Sequence, residues 1–149
     1  MSEYSTRIAL PNDSDGFAAF ECPQCNVRFK LSSSEVMEMD YEDLFCPSCG
    51  ISSARARFAT KELLEAARIK AMNLAQDVMR DAFKNLAKTF PHDSSVKWNS
   101  NFQPKYKSDK IMFEADDLEE IQLTCCDKYV KVNVLDKAIG IYCPYCGER

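Results

Sequence analysis

The chain has 149 residues, 46% hydrophobic and 28% charged, with a net charge of −4, a size that suits one ordinary domain or a few small modules. Four glycines and six prolines exclude a low-complexity or collagen-like protein. The absence of a long apolar run, and of a basic and then greasy leader between Met1 and Leu10, predicts no membrane span, no secretory signal and a cytoplasmic setting. In that reducing setting eight cysteines point to metal ligands or redox catalysts before structural disulfides.

Residues 1–16 read as an N-terminal tail. Phe17 to Glu21 and Val27 to Leu31 then alternate as a strand pair around Cys22-Pro23-Gln24-Cys25. Ser33 or Ser34 is placed to cap a short helical turn through Glu35, Val36 and Met37, and Leu44-Phe45 leads into Cys46-Pro47-Ser48-Cys49. Twenty residues separate Cys25 from Cys46, enough for the chain to return a second tight turn to the first, so that four thiolates meet one ion at about 2.3 Å. These two turns, with Gly50 after the second, resemble the knuckles of the zinc ribbon, the rubredoxin-like module of transcription factors, polymerase subunits and many small bacterial proteins. The match covers residues 17–58 and implies a small β-rich fold held by zinc at Cys22, Cys25, Cys46 and Cys49. In that family a glycine after the second cysteine lets the chain turn under the metal. Gly50 and Gly147 take that place, and Asn26 and Asp127, which also tolerate a left-handed backbone, stand at the other two turns.

From 60 to 90 the period changes. Thr60 is a candidate N-cap, Leu64, Ala67, Ala71, Leu74, Val78, Ala82 and Leu86 recur every three or four residues, and Pro91 follows. Such a helix is about 40–45 Å long at about 1.5 Å per residue. Met72, Met79, Phe83 and Phe90 widen its apolar stripe, so it is expected to pack on more than one surface, with these side chains filling a core. Residues 91–110 follow as a polar, basic linker with Trp98, Phe102 and Tyr106 among Lys97, Lys105, Lys107 and Lys110; His92, the only histidine, reads as solvated or capping.

Residues 111–149 read as a variant of the first ribbon. Ile121 to Thr124, Tyr129 to Val134 and Ile139 to Tyr142 are expected strands around Cys125-Cys126 and Cys143-Pro144-Tyr145-Cys146. With Cys126 set on Cys25, Val130 and Val132 fall opposite Phe29 and Leu31, while Leu123 takes the place of Cys22. Cys125 is then the candidate fourth ligand beside Cys126, Cys143 and Cys146; the alternatives are three cysteines completed by Asp127 or another group, and a ribbon with weak metal binding. Two ions per chain are expected, and four thiolates accept zinc or iron. The four residues Cys143 to Cys146 also match the redox motif of glutaredoxins, but only three residues of this sequence follow them, too few for the helix and sheet that motif serves, so a knuckle is the expectation.

The whole is an α+β chain, two small zinc ribbons joined by a long helix. No convergent acid, base and nucleophile is visible, so no enzyme and no small-molecule substrate are expected. Residues 1–60 and 111–149 are each acidic by four charges and residues 61–110 basic by four. Two functions fit: a protein-interaction adaptor or regulatory subunit, with a protein partner or a second copy on the helix, and a nucleic-acid-binding accessory factor using Lys84, Lys88, Lys97, Trp98, Lys105, Tyr106 and Lys107. A pI near 5.1 favours the first.

Overall fold

A computed structural model describes residues 3–40, 42–90 and 101–149. The architecture is α+β: small β-rich modules on either side, in sequence, of one long helix. In chain order the elements are β1 (Phe17–Glu21), β2 (Arg28–Ser32), α1 (Ser33–Glu38), β3 (Asp43–Phe45), β4 (Ser52–Ala54), a 3-10 turn (Arg55–Phe58), α2 (Lys61–Thr89), β5 (Glu119–Leu123), β6 (Lys128–Val132) and α3 (Val134–Ile139). They divide into two compact units, Ala9–Leu64 with Met112–Arg149, and Met1–Ile8 with Glu65–Ile111.

The first unit contains both β-rich modules, and they are joined. Hairpin β1–β2 and hairpin β5–β6 meet through β2 and β6 in one antiparallel sheet of order β1-β2-β6-β5. The junction is centred on two lysines, with Lys30 opposite Lys131 and Leu31 opposite Val130. Phe29, Leu31, Val130 and Val132 project from these strands into a core that takes in Phe20, Val36, Leu44, Phe58 and Leu123. Phe29 stacks on Phe20 and meets the edge of Phe58, each with ring centroids 5.9 Å apart.

The halves repeat each other from the hairpin through the short helix, while β3, β4 and the 3-10 turn have no counterpart among the described residues of the second half. Phe20 corresponds to Ile121, Phe29 to Val130, Leu31 to Val132, and the six residues of α1 to the six of α3. Two expected details change. The hydroxyl of Ser32, which precedes α1, bonds Ser34 Oγ at 3.0 Å and caps no backbone N–H. The strand expected from Ile139 to Tyr142 is absent, because Asn133 accepts the Asp136 N–H at 2.8 Å and starts α3, and Gly140 (φ 92°) ends it.

The other face of the sheet is closed by acids. Lys30 and Lys131 are buried side by side, which would be costly unpaired. Asp13, its side chain wholly buried, accepts from Lys131 at 2.8 Å and lies 3.6 Å from Lys30. Asp15 adds a bond to Lys131 at 2.7 Å, and Glu114 and Asp117 lie 3.8 and 3.6 Å from Lys30, which also donates to the Ala115 carbonyl.

The first turn of α2 belongs to the first unit and the rest, from Glu65, to the second, where its polar side is strapped. Thr60 caps α2 as expected, its hydroxyl accepting the Leu63 N–H at 3.2 Å. Residues 101–110, the described part of the linker read from sequence at 91–110, run without regular structure along the helix. Asn73 exchanges two bonds with the Lys107 backbone at 2.8 and 2.9 Å, Tyr106 donates to Asp77 at 2.6 Å and accepts from Arg80 at 2.9 Å, and Phe102 stacks on Phe83 at 5.2 Å. Because these partners are mostly polar, the apolar stripe is left out. Leu64, Met72, Val78, Met79 and Leu86 are between 40% and 57% exposed, and Ala66 is the helix's one buried residue among those described. The expected core-filling role of Met72 and Met79 is therefore corrected: among the described residues no core forms on that face.

Candidate metal centres

Each four-cysteine cluster is assembled from two tight turns. In the first turn the Asn26 N–H bonds the Cys22 carbonyl at 3.0 Å, and the N–H groups of Gln24 and Cys25 point at Cys22 Sγ at 3.4 and 3.5 Å. In the second turn Gly50 bonds back to Cys46 at 2.9 Å, and the Cys49 N–H points at Cys46 Sγ at 3.5 Å. Asn26 and Asp127 have φ of 59° and 50°, Gly50 and Gly147 of 73° and 78°, so all four turns have the left-handed residue that the resemblance implied.

The sulfurs of Cys22, Cys25, Cys46 and Cys49 lie within 4.8 Å of one another, and so do those of Cys125, Cys126, Cys143 and Cys146. Cys22 and Cys49 are 3.7 Å apart, Cys25 and Cys46 3.6 Å, Cys126 and Cys143 3.7 Å, and Cys125 and Cys146 3.5 Å. A tetrahedron of thiolates at about 2.3 Å from zinc has edges of about 3.8 Å, whereas a disulfide needs about 2.05 Å. Both donor sets therefore fit a thiolate-bound ion. In the second cluster Leu123, the last residue of β5, stands where Cys22 follows β1 in the first, and the Cys125 sulfur joins those of Cys126, Cys143 and Cys146.

Electrostatics distinguishes the thiols. Burial alone would raise Cys22, but the N–H groups of Cys25 and Gln24 outweigh it and hold the thiol below its ordinary value. The Glu148 N–H lowers Cys146 in the same way. Burial pushes Cys46 and Cys126 well up, and Cys125 up to about 11. Thiols of the second kind give up protons when an ion arrives, so apparent metal affinity should climb with pH across the neutral range, a slope that competition with a chromophoric chelator measures.

The two centres are built back to back. The Phe45 N–H donates to the Pro144 carbonyl and the Tyr142 N–H to the Pro47 carbonyl, both at 2.9 Å. Ser48 Oγ donates to Asp136 at 3.1 Å, and the Tyr145 hydroxyl, at the matching place in the other half, donates to Glu35 at 3.1 Å. Each knuckle glycine lies under a ring from the other half. A Cβ on Gly147 would stand 2.8 Å from the Phe45 ring, and one on Gly50 3.2 Å from Tyr142. Gly147→Ala should thus combine about 1–2 kcal/mol of left-handed strain with about 1–3 kcal/mol of overpacking, and Gly50→Ala should cost less. Thermal denaturation of the metal-loaded variants tests that order.

The structure places the alternative nucleic-acid residues unequally. Lys84, Lys88, Lys105 and Lys107 make no ion pair among the described residues, while the Tyr106 hydroxyl is held by Asp77 and Arg80. His92, Lys97 and Trp98 lie outside the described residues. Sequence reasoning missed Asp13, Lys30 and Lys131, although a lysine between two apolar strand residues at the same place in each half was the signal. No described helix is long and apolar enough to cross a membrane. No protein-family model, curated protein or solved structure matches the chain.

Proposed function

We propose that this is a non-catalytic zinc protein, an adaptor or regulatory subunit in which two four-cysteine sites stiffen a β-rich mount and α2 offers its apolar stripe to a protein partner or to a second copy. The observation that carries the reading is the stripe itself. Leu64, Val78, Met79 and Leu86 are exposed on a helix whose polar side is bound by its own chain, and exposed apolar patches rimmed by polar residues mark interaction sites. Light scattering over a micromolar concentration series is expected to show self-association, lost in Val78→Asp with Leu86→Asp. A monomer throughout would remove the second copy as partner, and a pull-down with the intact chain that recovers nothing dependent on the same two residues would remove the adaptor reading as a whole.

The second reading, a nucleic-acid accessory factor, is favoured by the four lysines without ion pairs. It expects a salt-sensitive gel shift with DNA or RNA that Lys84→Glu and Lys105→Glu weaken several-fold. Most other basic side chains of this region are engaged internally: Lys110 by Glu65, Arg80 by Asp77 and Asp81, and Lys70 by the Arg7 carbonyl.

A further inference from the structure

We infer that the two four-cysteine clusters form one coupled metal-binding unit, in which an ion at Cys22, Cys25, Cys46 and Cys49 raises the affinity for an ion at Cys125, Cys126, Cys143 and Cys146, and the reverse. The inference rests on the metal-binding reading and deepens it. The contacts between the halves that bear on the sites come in reciprocal pairs and sit on the second knuckle of each site. Phe45 and Pro47 flank Cys46, Tyr142 and Pro144 flank Cys143, and these flanking residues exchange the two backbone bonds across the boundary. Ser48 and Tyr145, in the middle of the knuckles, reach Asp136 of α3 and Glu35 of α1 in the opposite half. Phe45 and Tyr142 lie against the glycines that close the opposite knuckles.

Each knuckle is a turn fixed by few backbone bonds, Gly50 to Cys46 and Cys46 to Ile51 in one half, Gly147 to Cys143 and Cys143 to Glu148 in the other. An ion that gathers four sulfurs is what holds such a turn in place. When an ion binds one cluster it therefore sets the N–H, carbonyl and ring that the other knuckle packs on, and the second ion meets a site already part ordered. Linkage makes the effect mutual, and couplings of this kind amount to roughly 5–150-fold in affinity. In each cluster the first cysteine of the second knuckle, Cys46 or Cys143, is buried against the other half while the last, Cys49 or Cys146, is exposed.

The test is a zinc titration of the full-length reduced chain followed by native mass spectrometry. At one equivalent of zinc, the singly loaded share should fall below that expected from the affinity of each cluster measured alone, in Cys125→Ser for the first and Cys22→Ser for the second; a share equal to or above that expectation overturns the coupling. Ser48→Ala with Tyr145→Phe removes two bridging bonds and leaves all eight sulfurs, and it should raise the singly loaded share; no change overturns the proposal. In Cys125→Ser, whose sulfur partners all lie in its own cluster, zinc affinity at the first cluster should fall by at least about fivefold, and an unchanged affinity overturns it. A wild-type chain that takes up no zinc, or one ion only, removes the two-site reading itself. Two ions bound independently leave that reading standing and remove the coupling alone.

Discussion

Stripping the metal with excess chelator at neutral pH should unfold the unit of Ala9–Leu64 and Met112–Arg149 outright. Its core is thin: the buried side chains of β1, β2, β5 and β6 close over one another with Val36, Leu44, Phe58, Tyr145 and the buried cysteines Cys22, Cys46 and Cys143 beyond them. Structural zinc at a four-thiolate site contributes about 10–16 kcal/mol of apparent binding free energy near neutral pH, more than a small module has from its core. Loss of dispersion of the core amide resonances, restored on adding zinc back under reducing conditions, is the expected record. A unit whose spectrum survives complete metal removal would show that the sheet stands on its own packing.

Asp13→Ala should be the most damaging substitution away from the cysteines, costing about 3–5 kcal/mol, because it takes the one buried counter-charge from Lys131, leaving it the largely exposed Asp15, and removes a counter-charge from buried Lys30. It also orphans the N–H groups of Phe17 and Asp15, which bond Asp13 Oδ1 at 2.9 and 3.0 Å. Adding Lys30→Met and Lys131→Met should return much of the loss, since two apolar side chains then need no counter-charge. Denaturant midpoints of the metal-loaded proteins measure each step.

The same cluster sets a pH dependence. Burial pushes the Asp13 carboxyl up, but Lys131 and the two N–H groups outweigh it and hold it below the ordinary 3.8. A carboxylate so depressed stabilises the fold fully above that ordinary value, and its contribution disappears as pH falls through the lower folded value. The gap in stability between wild type and Asp13→Asn should accordingly be constant near neutrality and close only on strong acidification. Lys131 has the opposite sign: burial lowers it, Asp13 and Asp15 raise it further, and its contribution is lost only as pH rises past 10.5.

The local pieces were legible because they obey short-range rules. Alternation around Cys22 located β1 to the residue, Thr60 marked the start of α2, and the Cys-x-x-Cys spacing gathered the first four sulfurs. Placing Leu123 where Cys22 stands in the first half also singled out Cys125, whose sulfur lies with those of Cys126, Cys143 and Cys146. What the sequence hid was long-range. Nothing within either half says that β2 pairs with β6, because an edge strand carries the same alternation whether or not a partner covers it. The strap along α2 was hidden for a similar reason: nothing in the helical periodicity tells that Asn73, Asp77 and Arg80 receive Tyr106 and the Lys107 backbone. The methionines went astray by the usual inference from apolar periodicity to burial, which assumes a surface opposite.

The repeated halves have a consequence for assembly. Were they separate chains, their back-to-back contact would form and dissolve with dilution; joined in one polypeptide, each half meets the other at an effective concentration in the millimolar range for a linkage of moderate length. The paired centres should therefore be as complete at nanomolar protein as at millimolar. The tether also fixes a single pairing of two unlike halves, so the halves are free to differ, and the adjacent cysteines at 125 and 126 are a departure that a symmetric pair of identical chains would have had to carry twice.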